Sequence, residues 1–250
     1  MDKKWIMNEF KDVNINDERL KKRLISLTER FADSPEDSIN KCCNGWAETK
    51  AAYRFFQNDS VSAEEITESH ARASLERASE YKQVLVIQDT TYMSYKNHPK
   101  TEGLCVITKD RNKKEVNGII MHTAMAVSTE GLPLGIADQK IYTRPELSEE
   151  EKEKKRKTNN ADIPYEEKES YRWGQSSLVT DKLFSGEKVQ PILIGDREID
   201  SFDFLDLVEN NGMKYLIRGK NRRKIKNLHG ESVDLYEYFD SEPVKGTLNV

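Results

Sequence analysis

Apolar positions recur at three- and four-residue spacing through the first third of the chain, then give way to short continuous aliphatic runs. Leu20, Leu24, Leu27 and Phe31 mark one face of a helix. Asn16-Asp17 is placed to cap that helix and Pro35 to end it. A second helix is predicted from Gly45 or Trp46 to Phe56, with Trp46, Tyr53 and Phe56 apolar and Lys50 and Arg54 between them. Ser62-Ala63-Glu64-Glu65 has the capping-box pattern and opens a third, ending near Ser79. From Tyr81 strands are expected at residues 84–87, 104–108, 118–128 and 132–142, the last two joined at Glu130-Gly131 as an antiparallel hairpin. Residues 145–157 are almost all charged and read as a solvated loop or helix. A helix over 165–184, a strand at 192–194, a helix over 202–209 stopped by Asn210-Asn211-Gly212, and a strand over 213–218 complete the alternation. A short helix is expected over 233–239.

That order predicts a helical segment over residues 1–80 and a mixed α/β (α+β) domain over 81–250. The strand and helix sequence matches a ribonuclease-H-like core: antiparallel strands first, then alternating helices and strands. In that layout the first and fourth strands are neighbours. Each delivers an aspartate just past its aliphatic run, Asp89 after Val84-Leu85-Val86-Ile87-Gln88 and Asp196 after Ile192-Leu193-Ile194-Gly195. Taken singly, either residue reads as a cap for the turn or helix that follows. Brought together, two carboxylates repel unless a cation lies between them. A divalent metal held by strand-end aspartates, in a two-metal phosphoryl-transfer site, is the chemistry this pairing suggests.

Composition adds limits. The chain has 250 residues and a net charge of −4, so no global basic signal points to nucleic acid. The local distribution differs: residues 214–226 hold seven basic side chains, among them Arg218 and Lys220, with no acidic residue between them. Such a run leaving the sheet beside the two aspartates suits a phosphate backbone. Lys50, Tyr53 and Arg54 could likewise face duplex DNA, although the pattern alone favours the aromatic residues as core. Three cysteines, two of them adjacent, make neither a disulfide framework nor a CxxC metal site. The first residues lack the apolar stretch of a signal peptide, and no run approaches the length of a membrane span. A soluble, cytoplasmic protein is expected.

Several strings together resemble a known family. They are Asn16-Asp17-Glu18-Arg19 with Arg23-Leu24, Ala51-Ala52-Tyr53-Arg54-Phe55-Phe56-Gln57-Asn58 with Val61-Ser62, and Ile87-Gln88-Asp89-Thr90-Thr91 with Ser94-Tyr95 and His98. Further along come Glu167-Lys168-Glu169-Ser170 before Trp173, Asp196-Arg197-Glu198 with Asp200, and Ile217-Arg218-Gly219-Lys220. Their order and spacing resemble the cut-and-paste DDE transposases of bacterial insertion sequences, specifically the IS-four family with its Tn-five-type members. The resemblance implies a ribonuclease-H-like catalytic domain behind a helical domain that binds transposon ends, and a homodimer for the full-length family. It implies that Asp89 and Asp196 are the first two acids of the DDE triad and ligate Mg2+ or Mn2+. It places Lys50, Tyr53 and Arg54 in the end-binding head, and Arg218 and Lys220 where phosphates near the cut are contacted. His98 and Glu198 fall near the site without an assigned role. The family's third acid lies on a late helix with a Tyr-(2)-Arg-(3)-Glu-(6)-Lys pattern, which this sequence lacks. Val250 is expected to fall inside the family's β insertion, so the chain resembles the front part of a transposase. The isolated chain is then expected not to cut DNA. The competing readings are a non-catalytic DNA-binding fragment that blocks a full-length partner, a metal-dependent nuclease of the same fold, and a phosphatase with Asp89 as nucleophile. The last is disfavoured because no second Asp lies two residues after Asp89 and no Gly-rich phosphate loop occurs.

Overall fold

A computed structural model describes residues 4–98, 100–220, 223–243 and 246, the side chains of residues 155 and 161 excepted. The chain opens with α1 (Lys4–Glu9), α2 (Glu18–Asp33), α3 (Ile39–Cys42), α4 (Trp46–Phe56) and α5 (Ala63–Ala78). Asp17 caps α2, its carboxylate accepting from the Arg19 amide, as the sequence leads one to expect. Ser62 caps α5 through the Glu65 amide, but the reciprocal half of the box is not what Glu65 makes; its carboxylate accepts from Asn14 instead. Val13, Ile15, Leu24, Leu27, Cys43, Ala52 and Phe55 form a small core among these helices. All three cysteines are free and buried.

The sheet comprises β1 (Gln83–Ser94), β2 (Cys105–Lys109), β3 (Glu115–Ser128), β4 (Pro133–Tyr142), β5 (Gln190–Gly195) and β6 (Lys214–Ile217). Its main path runs β4-β3-β1-β5-β6, and β2 pairs with the other end of β3. β1, β3 and β4 are antiparallel, whereas β1–β5 and β5–β6 are parallel. This is the strand order of a ribonuclease-H-like fold. The charged run is helical as α6 (Glu149–Lys157), started by a complete capping box between Ser148 and Glu151. α7 (Tyr171–Phe184) and α8 (Phe202–Asn210) follow. Beyond β6, a hairpin of β7 (Lys224–Lys226) and β8 (Ser232–Asp234) leads into α9 (Leu235–Ser241). The expectations attached to Arg222 and Val250 lie outside the described residues.

Two boundaries differ from the sequence-based expectation in ways that matter. β1 does not stop at Ile87 but continues to Ser94, because β3 carries on the antiparallel ladder after the parallel ladder with β5 has ended. Asp89 is therefore inside a strand, not at its end. The helix expected from residue 165 begins at Tyr171. Residues Tyr165–Glu167 make a single tight turn, and Lys168 is extended. Lys168 and Glu169 are drawn into ion pairs with Asp203 and Arg144, which holds the backbone out of a helix.

α5, α7 and α8 pack on one face of the sheet, over Val84, Val86, Ala124, Ala126, Leu134 and Leu193, with Trp173 and Phe204 fully buried. On the other face Ile87, Met125, Ile141 and Leu216 are exposed among the described residues. α5 serves both cores, since Ile66 joins the small helical core while Leu75 and Ala78 join the sheet core. Gly135, at φ 138°, lets β4 approach α5; a Cβ there would lie 2.1 Å from Ser74 Oγ.

The junction is closed by a polar cluster. The buried Glu9 carboxylate pairs with Arg77 and with His70 Nδ1, while His70 Nε2 accepts from the Ile136 amide of β4 at 3.0 Å. Arg77 also donates to the Leu134 carbonyl. Burial pushes the Glu9 carboxyl up, but the hydrogen bonds from His70 and Arg77 and the Arg77 charge outweigh it and hold the group below its ordinary range. Glu9→Ala leaves two donors without their acceptor and should cost about 1–3 kcal/mol, read as a lower urea midpoint. Because the folded carboxyl is held low, its contribution is complete above the unfolded value and is lost as pH falls through the folded one. Glu9→Gln should flatten that acid loss; an unchanged acid limb would contradict the assignment.

Candidate functional site

The parallel pairing of β1 and β5 ends with Ile87 opposite Ile194. Two residues further along the chain from each stand Asp89 and Asp196, both exposed. Side chains alternate along a strand. Val84, Val86 and Gln88 point into the helix-covered core, so Asp89 shares the open face with Ile87. Asp196 is the first residue past β5, at the turn that follows it. Both residues therefore stand just past the parallel pairing of neighbouring strands. On the far side of β5, Ile217 of β6 pairs with Gly195, and the Arg218 amide donates to the Gly195 carbonyl at 3.1 Å. Arg218 thus leaves β6 next to the end of β5, where Asp196 follows Gly195. Gly195 itself is tight: a Cβ there would meet Ile199 at 2.8 Å.

Asp89 makes no hydrogen bond or ion pair that the described residues supply, and Asp196 accepts only the Glu198 amide, at 2.8 Å. Among the described residues no group of three or more His, Cys, Asp or Glu is arranged to hold a metal. Two free carboxylates still fit a hard cation. Mg2+ is commonly held by one or two protein carboxylates, with water and substrate phosphate oxygens completing the shell.

Behind these acids lies a polar chain that the sequence did not reveal. Gln88 and Thr90 flank Asp89 and point inward. Gln88 Nε2 donates to Ser177 Oγ at 2.9 Å, which in turn donates to the Trp173 carbonyl. Its Oε1 faces His122 Nε2 at 3.1 Å, so that nitrogen carries the proton. His122 Nδ1 then accepts from the Thr90 hydroxyl at 2.9 Å, and Thr90 Oγ1 accepts from Arg172 Nε at 3.0 Å. Arg172 also donates to the Glu169 carbonyl and to Glu198. Trp173 packs edge-on against His122 at 4.6 Å. Burial, and after it the Arg172 charge, lower the His122 pKa to about 4.

The basic stretch divides into committed and free side chains. Asp200 is buried and accepts from the Lys220 amide at 2.6 Å and from the Arg223 guanidinium. That pairing folds the chain after β6 back towards the β5 turn and excludes Asp200 as an open metal ligand. Arg218 and Lys220 remain exposed, with no side-chain partner among the described residues.

In the helical segment, Thr49, Ala52 and Phe55 are the buried face of α4. Trp46, Lys50, Tyr53 and Arg54 lie outward, and Trp46 is 77% exposed. The aromatic residues that the pattern favoured as core are on the surface. Phe56 also is half-exposed and stacks at 6.5 Å on Phe31. Thus Lys50, Tyr53 and Arg54 share one helical face with Trp46, well removed in sequence from Asp89 and Asp196. His98 packs against Tyr95.

Comparison with known proteins bears on this segment first. The family described as transposase DNA-binding matches residues 2–61. Through those residues the chain is similar to transposases. The match covers α1 to α4 and ends just before α5. Among solved structures, a Mos1 transposase paired-end complex with the left transposon end covers 76% of this chain at 8% identity and a TM-score of 0.29. The Mos1 strand transfer complex does so at 8% identity and a TM-score of 0.27. The chain spans 56% of the length of either. At that identity and superposition, the fold rests on the strand order above. No described helix is long and apolar enough to cross a membrane.

The buried histidine makes a measurable prediction. Folded, it stays neutral down to about pH 4, against an ordinary value of 6.5. Between those limits the unfolded chain binds the extra proton, so stability falls as pH drops through the window, on the order of 3 kcal/mol from this group. His122→Gln should lower stability at pH 7 and reduce the slope between pH 6.5 and 4 in urea melts. An undiminished slope would mean that another group titrates there.

Proposed function

We propose that the chain acts on DNA as part of a DDE transposase of the IS-four kind, with Asp89 and Asp196 as metal-ligating acids. The observation that carries this reading is that Asp89 lies on β1 just past its parallel pairing with β5, while Asp196 and Arg218 directly follow the adjacent strands β5 and β6. The transposase DNA-binding match over residues 2–61 supports the DNA partner, as do the residue strings that resemble the family. A bound Mg2+ or Mn2+ would activate water or a 3′-hydroxyl and stabilise charge on the scissile phosphodiester. The chain's own part is to present two carboxylates free of competing cations. Arg218 and Lys220 are placed to take the phosphates that flank the cut. The α4 face of Trp46, Lys50, Tyr53 and Arg54 would bind the transposon-end duplex, its cations on phosphates and its aromatic rings against sugar or base edges.

A second reading is supported by one specific observation. No third metal-ligating side chain joins Asp89 and Asp196 among the described residues. On that reading the chain occupies transposon ends without cutting them. Cleavage separates the two. Purified chain is incubated with duplex DNA carrying the ends of its own element and with Mg2+ or Mn2+. Because rate falls steeply when reacting groups are misplaced by about 1 Å, no nicking or joining is expected from this chain alone. Specific cleavage that Asp89→Ala abolishes would instead show a complete active site.

DNA binding has its own test. Affinity for duplex DNA should fall steeply with salt, since each phosphate contact releases counterions. Lys50→Ala with Arg54→Ala, and separately Arg218→Ala with Lys220→Ala, should each lower the salt slope by about 2, near one per phosphate contact removed. Trp46→Ala and Tyr53→Ala should weaken binding with little change in slope. A gel-shift series indifferent to salt and to all of these would remove the DNA-binding proposal.

A further inference from the structure

One cation links the surroundings of Asp89 and Asp196 without touching either carboxylate. Arg172 stands in the first turn of α7 with its side chain only 11% exposed. Its guanidinium reaches three separate segments: Thr90 of β1, the Glu169 carbonyl before α7, and Glu198 in the turn after β5. Thr90 is the neighbour of Asp89. Glu198 donates its amide to Asp196 Oδ1. One guanidinium therefore connects the side chain next to Asp89 to the turn that carries Asp196.

We propose that Arg172 and Thr90 are positioning residues that set the spacing of Asp89 and Asp196 for a shared divalent cation. This rests on the reading of those two aspartates as metal ligands. The geometry is specific. Gln88 and Thr90 both point into the core and both are hydrogen-bonded, Gln88 to Ser177 and His122, Thr90 to His122 and Arg172. Asp89, between them, is left with its own side-chain torsions as its main freedom. The donors along this chain run one way, from Arg172 through Thr90 to His122, then from His122 to Gln88 and from Gln88 to Ser177. No member can rotate without leaving a buried group unpaired. The Arg172–Glu198 pair is open to solvent on its Glu198 side and adds little stability. It is suited to fixing geometry, because the planar guanidinium holds Thr90 and Glu198 at once, which a lysine ammonium cannot do in the same way. Partners behind metal ligands typically contribute 10- to 100-fold to metal affinity.

Mn2+ binding to the full chain, followed by the electron paramagnetic resonance of free Mn2+, tests this without activity. Asp89→Ala, Arg172→Gln, Arg172→Lys and Thr90→Val are compared with the unaltered chain, with near-UV circular dichroism confirming the fold of each. The expected result is Asp89-dependent binding that Arg172→Gln weakens by about tenfold or more. Arg172→Lys should recover part of the loss. Thr90→Val, which keeps Arg172 and the side-chain volume, should weaken binding in the same direction. Unchanged Mn2+ affinity in folded Arg172→Gln would overturn the positioning role and leave the metal site standing. Should Arg172→Gln not fold, unchanged affinity in Thr90→Val overturns it equally. If the unaltered chain shows no Asp89-dependent binding, the metal reading itself fails and the positioning role falls with it.

Discussion

Five Cα pairs, from Gln83 opposite Gln190 to Ile87 opposite Ile194, hold β1 against β5. A parallel pair cannot be closed by a hairpin; its two strands must be joined by a long crossover. Here that crossover includes β3, β4, α6 and α7, and α7 returns to lie on the face that Val84, Val86 and Leu193 make apolar. A slip of one residue would turn those three side chains outward and bring Ile87 and Ile194 inward. The register is therefore set by burial, and the aspartates inherit it. Asp89 and Asp196 each come two residues after the last parallel pair, Ile87 opposite Ile194, Asp89 still within β1 and Asp196 just past β5.

The same constraint explains why β1 outlives its aliphatic run. After Ile87 the parallel partner ends, yet β3 continues opposite residues 88–94, so the polar segment remains a strand. Its inward positions, Gln88 and Thr90, are then buried polar groups that need partners. His122, Ser177 and Arg172 provide them. The polar network is thus a consequence of extending a strand through a sequence that is not apolar, and it falls directly behind the one outward aspartate.

Much of this architecture was legible in the sequence, because aliphatic runs and helical periodicity report burial directly. The strand pair carrying Asp89 and Asp196, the caps at Asp17 and Ser62, and the mixed sheet all follow from such patterns. What the sequence hid was pairing across distance. Arg172 looks like any charged residue at the start of a helix until Thr90 and Glu198 are placed beside it. His122 sits in a largely apolar strand, where its tautomer depends on Gln88 and Thr90 of β1, 34 and 32 residues earlier. The start of α7 was displaced by ion pairs between residues 144 and 169 and between 168 and 203. The pattern misjudged Trp46 and Tyr53 for a related reason. In an eleven-residue helix, Thr49, Ala52 and Phe55 already fill the buried face, and the larger aromatic rings are left outside.

Net charge says little about where a polyanion could bind, and the assignment of individual charges says more. Arg77, Arg144, Arg172, Arg223 and Lys168 are each bound to a carboxylate that joins separate parts of the fold. These cations are neutralised locally and contribute little field beyond their partners. Lys50, Arg54, Arg218 and Lys220 have no such partner among the described residues and are exposed. Positive charge therefore stays uncommitted on the α4 face and near Asp89 and Asp196, among other places, while acidic side chains crowd the first turn of α6. A chain with a net charge of −4 can in this way present two basic surfaces. The Asp200–Arg223 pair shows how one cation serves the others: by spending Arg223 on a buried carboxylate, the fold bends the segment after β6 so that Arg218 and Lys220 stay close to the β5 turn.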